Sequence, residues 1–163
     1  MSLGRWIVLA IGTMWALSGC KEPQVPADQK GVFVIWKTPT MRYADQGFIY
    51  REPSRLRLEI YASGQAVMKL SVTPDQVCNG ALCMDKKSFN FRFLSPEYPP
   101  ELLDHLLRGE PIFGGKNLVR KDHGFTQRIE KPGRYRIVYT VLNGSVAFRD
   151  TINHIVIEIK PQG

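Results

Sequence analysis

The chain has 163 residues, with 22 Lys+Arg against 15 Asp+Glu, a net charge of +7, 44% hydrophobic residues and three cysteines. That length suits one domain with one core, and the apolar fraction is too high for a disordered chain. Three cysteines are too few for a disulfide-built mini-protein, and no apolar run reaches the roughly 20 residues needed to cross a membrane. The basic balance alone suggests nucleic acid.

The N-terminal segment argues against that suggestion. Arg5 supplies a short positive region, and Trp6 to Leu17 (WIVLAIGTMWAL) is an apolar run of secretory-signal length, too short to span a bilayer. Leu17-Ser18-Gly19-Cys20 resembles a bacterial lipobox. The resemblance implies cleavage after Gly19 and lipid attachment to Cys20; a buried N-terminal helix ending in cysteine is the alternative. Cleavage removes one charged residue, Arg5, and lowers the balance from +7 to +6. Acyl chains on Cys20 hold a protein to a bilayer without a spanning segment, at about 0.8 kcal/mol per buried CH₂. Lys21, where an inner-membrane protein would carry Asp, points to the outer membrane. Residues 1–19 are therefore expected to be a lipoprotein signal peptide, 20–30 a lipidated, proline-containing tether, and 31–163 the folded domain.

From Gly31 the pattern is that of antiparallel strands. Val32 to Trp36 opens it, Thr38-Pro39-Thr40 and Asp45-Gln46-Gly47 read as turns, and Phe48 to Tyr50 continues to a break at Glu52-Pro53-Ser54. Arg55 to Tyr61 alternates cleanly, with Leu56, Leu58 and Ile60 on one face. Ser63-Gly64 turns the chain into Ala66 to Val72, which carries Met68 and Leu70. Ser88 to Leu94 reads as a strand with Phe89, Phe91 and Phe93 on one face. Leu102 to Arg108 has helical spacing, stopped by Gly109 and Pro111. Strands resume at Phe125–Ile129, Tyr135–Leu142, Val146–Phe148 and His154–Lys160. The expected fold is mainly β: a curved antiparallel sheet, or incomplete β-barrel, with a short helical lid.

Cys78 and Cys83 flank Asn79-Gly80-Ala81-Leu82. In an exported domain a disulfide is the expectation, with free thiols as the alternative. Asn79-Gly80 signals a two-residue hairpin that would set Cys78 opposite Ala81, whereas a Cys78–Cys83 pair calls for a four-residue loop. His105, His123 and His154 sit in three separate segments without metal-ligand spacing. No nucleophile elbow, Walker loop or dinucleotide turn is present, and Gly114-Gly115-Lys116 is a lone Gly-Gly turn with a weak phosphate signal. No catalytic residue, metal or cofactor is expected. The pairs Arg55/Arg57, Lys86/Lys87, Arg120/Lys121 and Arg134/Arg136 read as solvated strand faces, with contact to anionic headgroups as the alternative.

Four stretches resemble the LolA/LolB family of bacterial lipoprotein carriers and receptors. They are Phe33 to Tyr50, Leu56 to Gln65, Leu103-x-x-Leu106-Leu107-x-Gly109-x-Pro111, and Tyr135 to Tyr139 with Ile155 to Lys160. The resemblance implies an incomplete antiparallel barrel whose concave apolar face, lidded by helices, takes acyl chains. It also implies a protruding loop at Tyr61, Ala62, Ser63 and Gly64, although Ser63 stands where the receptors carry an apolar residue. Leu106 replaces the family's helix tryptophan, and the cysteine pair is not a general family feature.

The expected function is that of a monomeric, lipid-anchored outer-membrane protein, facing the periplasm, that receives acylated lipoproteins from a periplasmic carrier. Acyl chains or another lipid would enter a pocket lined by Leu56, Leu58, Ile60, Met68, Leu70, Phe89, Phe91, Phe93, Ile137 and Tyr139, under Leu103 and Leu106. The alternative is a structural or interaction lipoprotein in which the same residues are a filled core. Export makes nucleic acid an improbable partner, and an enzyme lacks any recognisable constellation.

Overall fold

The computed structural model describes residues 28–163. The segment expected to be a signal peptide, the lipidation candidate Cys20 and most of the tether lie outside them. Residues 28–30, expected to belong to the tether, are instead part of the first strand, β1 (Asp28–Lys37), where they pair with Arg51, Tyr50 and Ile49.

Eleven strands form one antiparallel sheet. β2 (Arg42–Arg51), β3 (Leu56–Ala62), β4 (Gln65–Val72), β5 (Gln76–Asn79) and β6 (Leu82–Asp85) step away from β1 in one direction. β11 (Ile155–Pro161), β10 (Ser145–Asp150), β9 (Tyr135–Leu142), β8 (Gly124–Lys131) and β7 (Leu118–Lys121) step away in the other. The two halves meet where β1 pairs with β11, and the outermost strands β6 and β7 do not pair with each other, so the barrel is incomplete. Residues 86–117 connect those two edges and carry α1 (Lys86–Phe93), α2 (Leu102–Arg108) and a 3₁₀ turn at Phe113–Gly115.

Period-two burial gives the sheet an apolar inner face and a mixed outer one. Val32, Val34 and Trp36 of β1, Leu56, Leu58 and Ile60 of β3, and Ile155, Ile157 and Ile159 of β11 are all buried. The helices close over this face and join it in one core with Phe89, Leu102, Leu103, Leu106 and Leu107.

Three expectations are corrected. The residues Asp45-Gln46-Gly47 are not a turn; β2 runs through them without a break. Gly47 is there because the neighbouring backbone comes very close: a Cβ would lie 2.1 Å from the Glu59 carbonyl oxygen, beside the register shift at Ile60/Tyr61. The segment from Ser88 to Leu94 is mostly helix, not strand. Asp85 caps α1, accepting the Ser88 N–H at 2.9 Å and the Ser88 hydroxyl at 2.6 Å. Helical spacing then puts Phe89 and Phe93 together, 5.0 Å between ring centroids, and turns Phe91 outward. The cysteines need no four-residue loop either: Asn79 pairs with Leu82 and Cys78 with Cys83, around a two-residue turn at Gly80-Ala81. The strands β5, β6 and β7, four residues each, were not anticipated.

Candidate functional site

The inner face carries one row of large side chains across six strands. Register places Tyr43, Trp36, Ile157, Phe148, Tyr139 and Gln127 side by side. Trp36, Phe148 and Tyr139 are buried, and Tyr139 and Phe148 stand 6.4 Å apart by ring centroids. The Tyr139 hydroxyl donates to the Glu110 carbonyl oxygen at 3.0 Å. Burial first, then the Glu110 charge, raises its pKa well above the ordinary tyrosine value. The Trp36 indole N–H is fully enclosed and has no hydrogen-bond partner among the described residues.

Ten of the twelve pocket candidates, Leu56, Leu58, Ile60, Met68, Leu70, Phe89, Leu103, Leu106, Ile137 and Tyr139, are buried in this one core. Phe93 is half-buried against it. Phe91 does not line the interior: it is 75% exposed. With Leu82, Cys83, Met84, Lys87, Ser88 and Arg92 it borders an outward apolar groove of about 580 Å³ between β6 and α1.

The seat is closed by α2. Leu102, Leu103, Leu106 and Leu107 are all buried, while Asp104 and Arg108 lie toward its margin. Three polar attachments hold the helix there. Lys86 Nζ meets Asp104 Oδ2 at 2.8 Å and ties α1 to α2. Arg51 Nε donates to the Leu107 carbonyl oxygen at 2.8 Å, and an Arg108 N–H donates to the Glu52 carbonyl oxygen at 3.1 Å. Burial lowers the Arg51 pKa, opposed by Asp28 and reinforced by Arg108.

Two buried polar groups that sequence reasoning missed fix the rest of the crossing segment. Asp150, 1% exposed, accepts the Tyr98 hydroxyl at 2.5 Å, the Asn153 amide at 2.6 Å, and the Arg136 and Ile152 backbone N–H groups at 3.0 Å. Burial raises the Asp150 pKa, but these hydrogen bonds outweigh it and the net shift is downward. Burial and then Asp150 raise that of Tyr98 far above its usual range. Gln127, fully buried, accepts the Ile112 N–H at 2.9 Å and donates to the Ile112 and Lys116 carbonyl oxygens at 3.0 and 2.8 Å. The available signal was parity: both sit at inward positions of otherwise alternating strands.

The expected protruding loop, Tyr61, Ala62, Ser63 and Gly64, is a tight hairpin end. Ala62 pairs with Gln65, and Ser63 and Gly64 occupy left-handed conformations at φ 50° and 77°. Both turn residues are exposed, and Tyr61 lies back on β3.

Cys78 and Cys83 are disulfide-bonded across β5 and β6, with Cα atoms 4.0 Å apart. Among the described residues no three His, Cys, Asp or Glu side chains gather as a metal site requires. No described helix is long and apolar enough to cross a membrane.

The fold and seat define a class: an open antiparallel sheet with an apolar concave face covered by a helical crossing segment. No protein-family model matches the chain, and no curated protein matches it either.

Proposed function

We propose that this is a lipid-anchored protein of the bacterial envelope that binds acyl chains in the seat between the concave sheet and α2. The observation that carries the reading is the construction of the lid. A seven-residue helix buries four leucines against the inner face, and its three polar attachments lie outside the apolar contact.

The magnitudes allow exchange. Burying four leucines contributes on the order of 8 kcal/mol, and each buried methylene about 0.8 kcal/mol, so about ten methylenes of a fatty chain replace them. An ester or amide carbonyl on that chain would also satisfy the enclosed Trp36 N–H, whose isolation costs about 1–3 kcal/mol. The apolar groove at Leu82 and Phe91 lies beside α1, and Met84, which packs against the core, is among its lining. Acylated lipoproteins delivered by a periplasmic carrier are the cargo the reading favours, with the outer membrane as destination. Transfer down an affinity gradient needs no energy source.

One observation favours a second reading. The ten enclosed candidates are packed in one buried core, and five clefts on the described residues are each lined by at most one of the twelve. A filled core suits a structural or interaction lipoprotein with no lipid cargo. Native mass spectrometry of the protein purified from cells, with competition by a fluorescent fatty acid, separates the two. Co-purified lipid and saturable displacement support the acceptor; absence of both supports the filled core.

A further inference from the structure

The outer face carries a row of cations that the seat does not use. Arg42 pairs with Lys37, Lys37 with Val156, and Val156 with Arg149, so these four side chains stand abreast on β2, β1, β11 and β10. The same row continues through Val138 to Arg128. Directly opposed like charges lie about 5 Å apart at Cβ and repel. Yet Lys37 and Arg42 have no ion-pair partner among the described residues. Arg149 reaches only Glu158, at 3.8 Å, and Glu158 lies closer to Lys160, at 2.9 Å.

Lys37, Arg42 and Arg149 border a cleft of about 400 Å³ that is also lined by Thr38, Asp150, Thr151, His154 and Val156. The Asp150 carboxylate is held by its hydrogen bonds to Tyr98, Asn153 and the backbone. Three strand steps of about 4.8 Å put Arg42 and Arg149 about 14 Å apart, within reach of one anion from both sides.

We propose that this cleft binds a phosphate group, with Lys37, Arg42 and Arg149 as its cations. A phosphate resolves the unpaired Lys37/Arg42 repulsion and accepts charge-assisted hydrogen bonds from both guanidinium groups. The group belongs either to a membrane phospholipid or to a small soluble phosphate. None of the twelve acyl-pocket candidates lines the cleft, so its occupancy is separable from acyl binding in the seat.

The test compares the full chain with its Lys37→Gln/Arg42→Gln and Arg149→Gln variants, and with Arg120→Gln/Lys121→Gln as a charge-matched control on β7. One arm measures co-sedimentation with phosphatidylglycerol vesicles against phosphatidylcholine vesicles. The other titrates inorganic phosphate and follows backbone amide resonances. Loss of the two charges weakens binding roughly 30-fold in the responsive arm, at about fivefold per base. A loss in the vesicle arm assigns a lipid headgroup, in the titration arm a soluble phosphate, and in both a site open to either. Without anion, the double variant has an unchanged or higher melting temperature, because only repulsion is removed. The proposal is overturned if the site variants match the wild type in both arms, or if the β7 control loses as much as they do.

Discussion

The Tyr98 hydroxyl donates to Asp150 Oδ2 at 2.5 Å, joining the crossing segment to an inward position of β10. The carboxylate sits in a row with Ile155, Ile137 and Ile129, where an unpaired charge would be expensive. Its hydrogen bonds therefore position the segment that covers the seat. Tyr98→Phe removes the donor and is expected to cost about 1.5–3 kcal/mol in urea denaturation.

The same carboxylate predicts an acid limb in stability. Its folded pKa is lowered, so its contribution is fully present above the unfolded aspartate value of about 3.9 and disappears as pH falls through the lower folded value. Unfolding midpoints should be flat in this contribution from pH 5 to 8 and decline below pH 4. Asp85 and Glu97 are also lowered and act in the same direction, so the informative quantity is the difference between wild type and Asp150→Asn. That difference shrinks with acidification; a constant difference would show that Asp150 does not titrate as described.

Gly47→Ala tests the close approach of β2 to β3. The added Cβ would sit 2.1 Å from the Glu59 carbonyl oxygen, and the backbone must shift. A loss of about 2 kcal/mol or more is expected from denaturant titration. Gly31→Ala, whose Cβ would meet Gln162 at 3.6 Å, leaves the midpoint unchanged.

Gln127→Leu removes all three hydrogen bonds to the loop after α2 and leaves the buried Ile112 N–H unpaired, while the Ile112 carbonyl oxygen keeps the Gly115 N–H at 2.9 Å. The expected cost is about 3 kcal/mol. Cleavage between residues 110 and 117 under limited proteolysis should accelerate, while the β1–β4 half remains resistant.

The disulfide closes a small loop, so Cys78→Ala/Cys83→Ala should lower stability by about 2 kcal/mol in the chain-entropy model. Thiol labelling of the unreduced, denatured protein checks the pairing directly: neither Cys78 nor Cys83 reacts until reductant is added.

Strands with two-sided chemistry were legible in the sequence. Leu56, Leu58 and Ile60 alternate with Arg57 and Glu59, and period two leaves one way to face the core. Residues 88–94 misled because alternating phenylalanines mimic a strand, while the signal that decides, the Asp85 cap, lies just before them. The disulfide register was a near miss for a similar reason. Asn79-Gly80 marks the hairpin, but the turn is centred one residue later, on Gly80-Ala81. The strands β6 and β7 are edge strands with few buried residues, so they carry almost no hydrophobic pattern. The phosphate cleft depends on register between strands far apart in sequence, as from Lys37 to Arg149, and no local pattern encodes it.

Acyl binding in the seat can be read through Trp36. It is fully buried on the inner face, and the other two tryptophans, Trp6 and Trp15, fall within the segment expected to be cleaved. In the chain lacking residues 1–19, with Cys20→Ser, all tryptophan emission comes from the seat. Titration with a fatty acid brominated along its chain should quench that emission saturably, and an unbrominated fatty acid should displace it. Unchanged Trp36 emission at saturating brominated chain, with the melting transition intact, would contradict the acyl-chain account and leave a filled core.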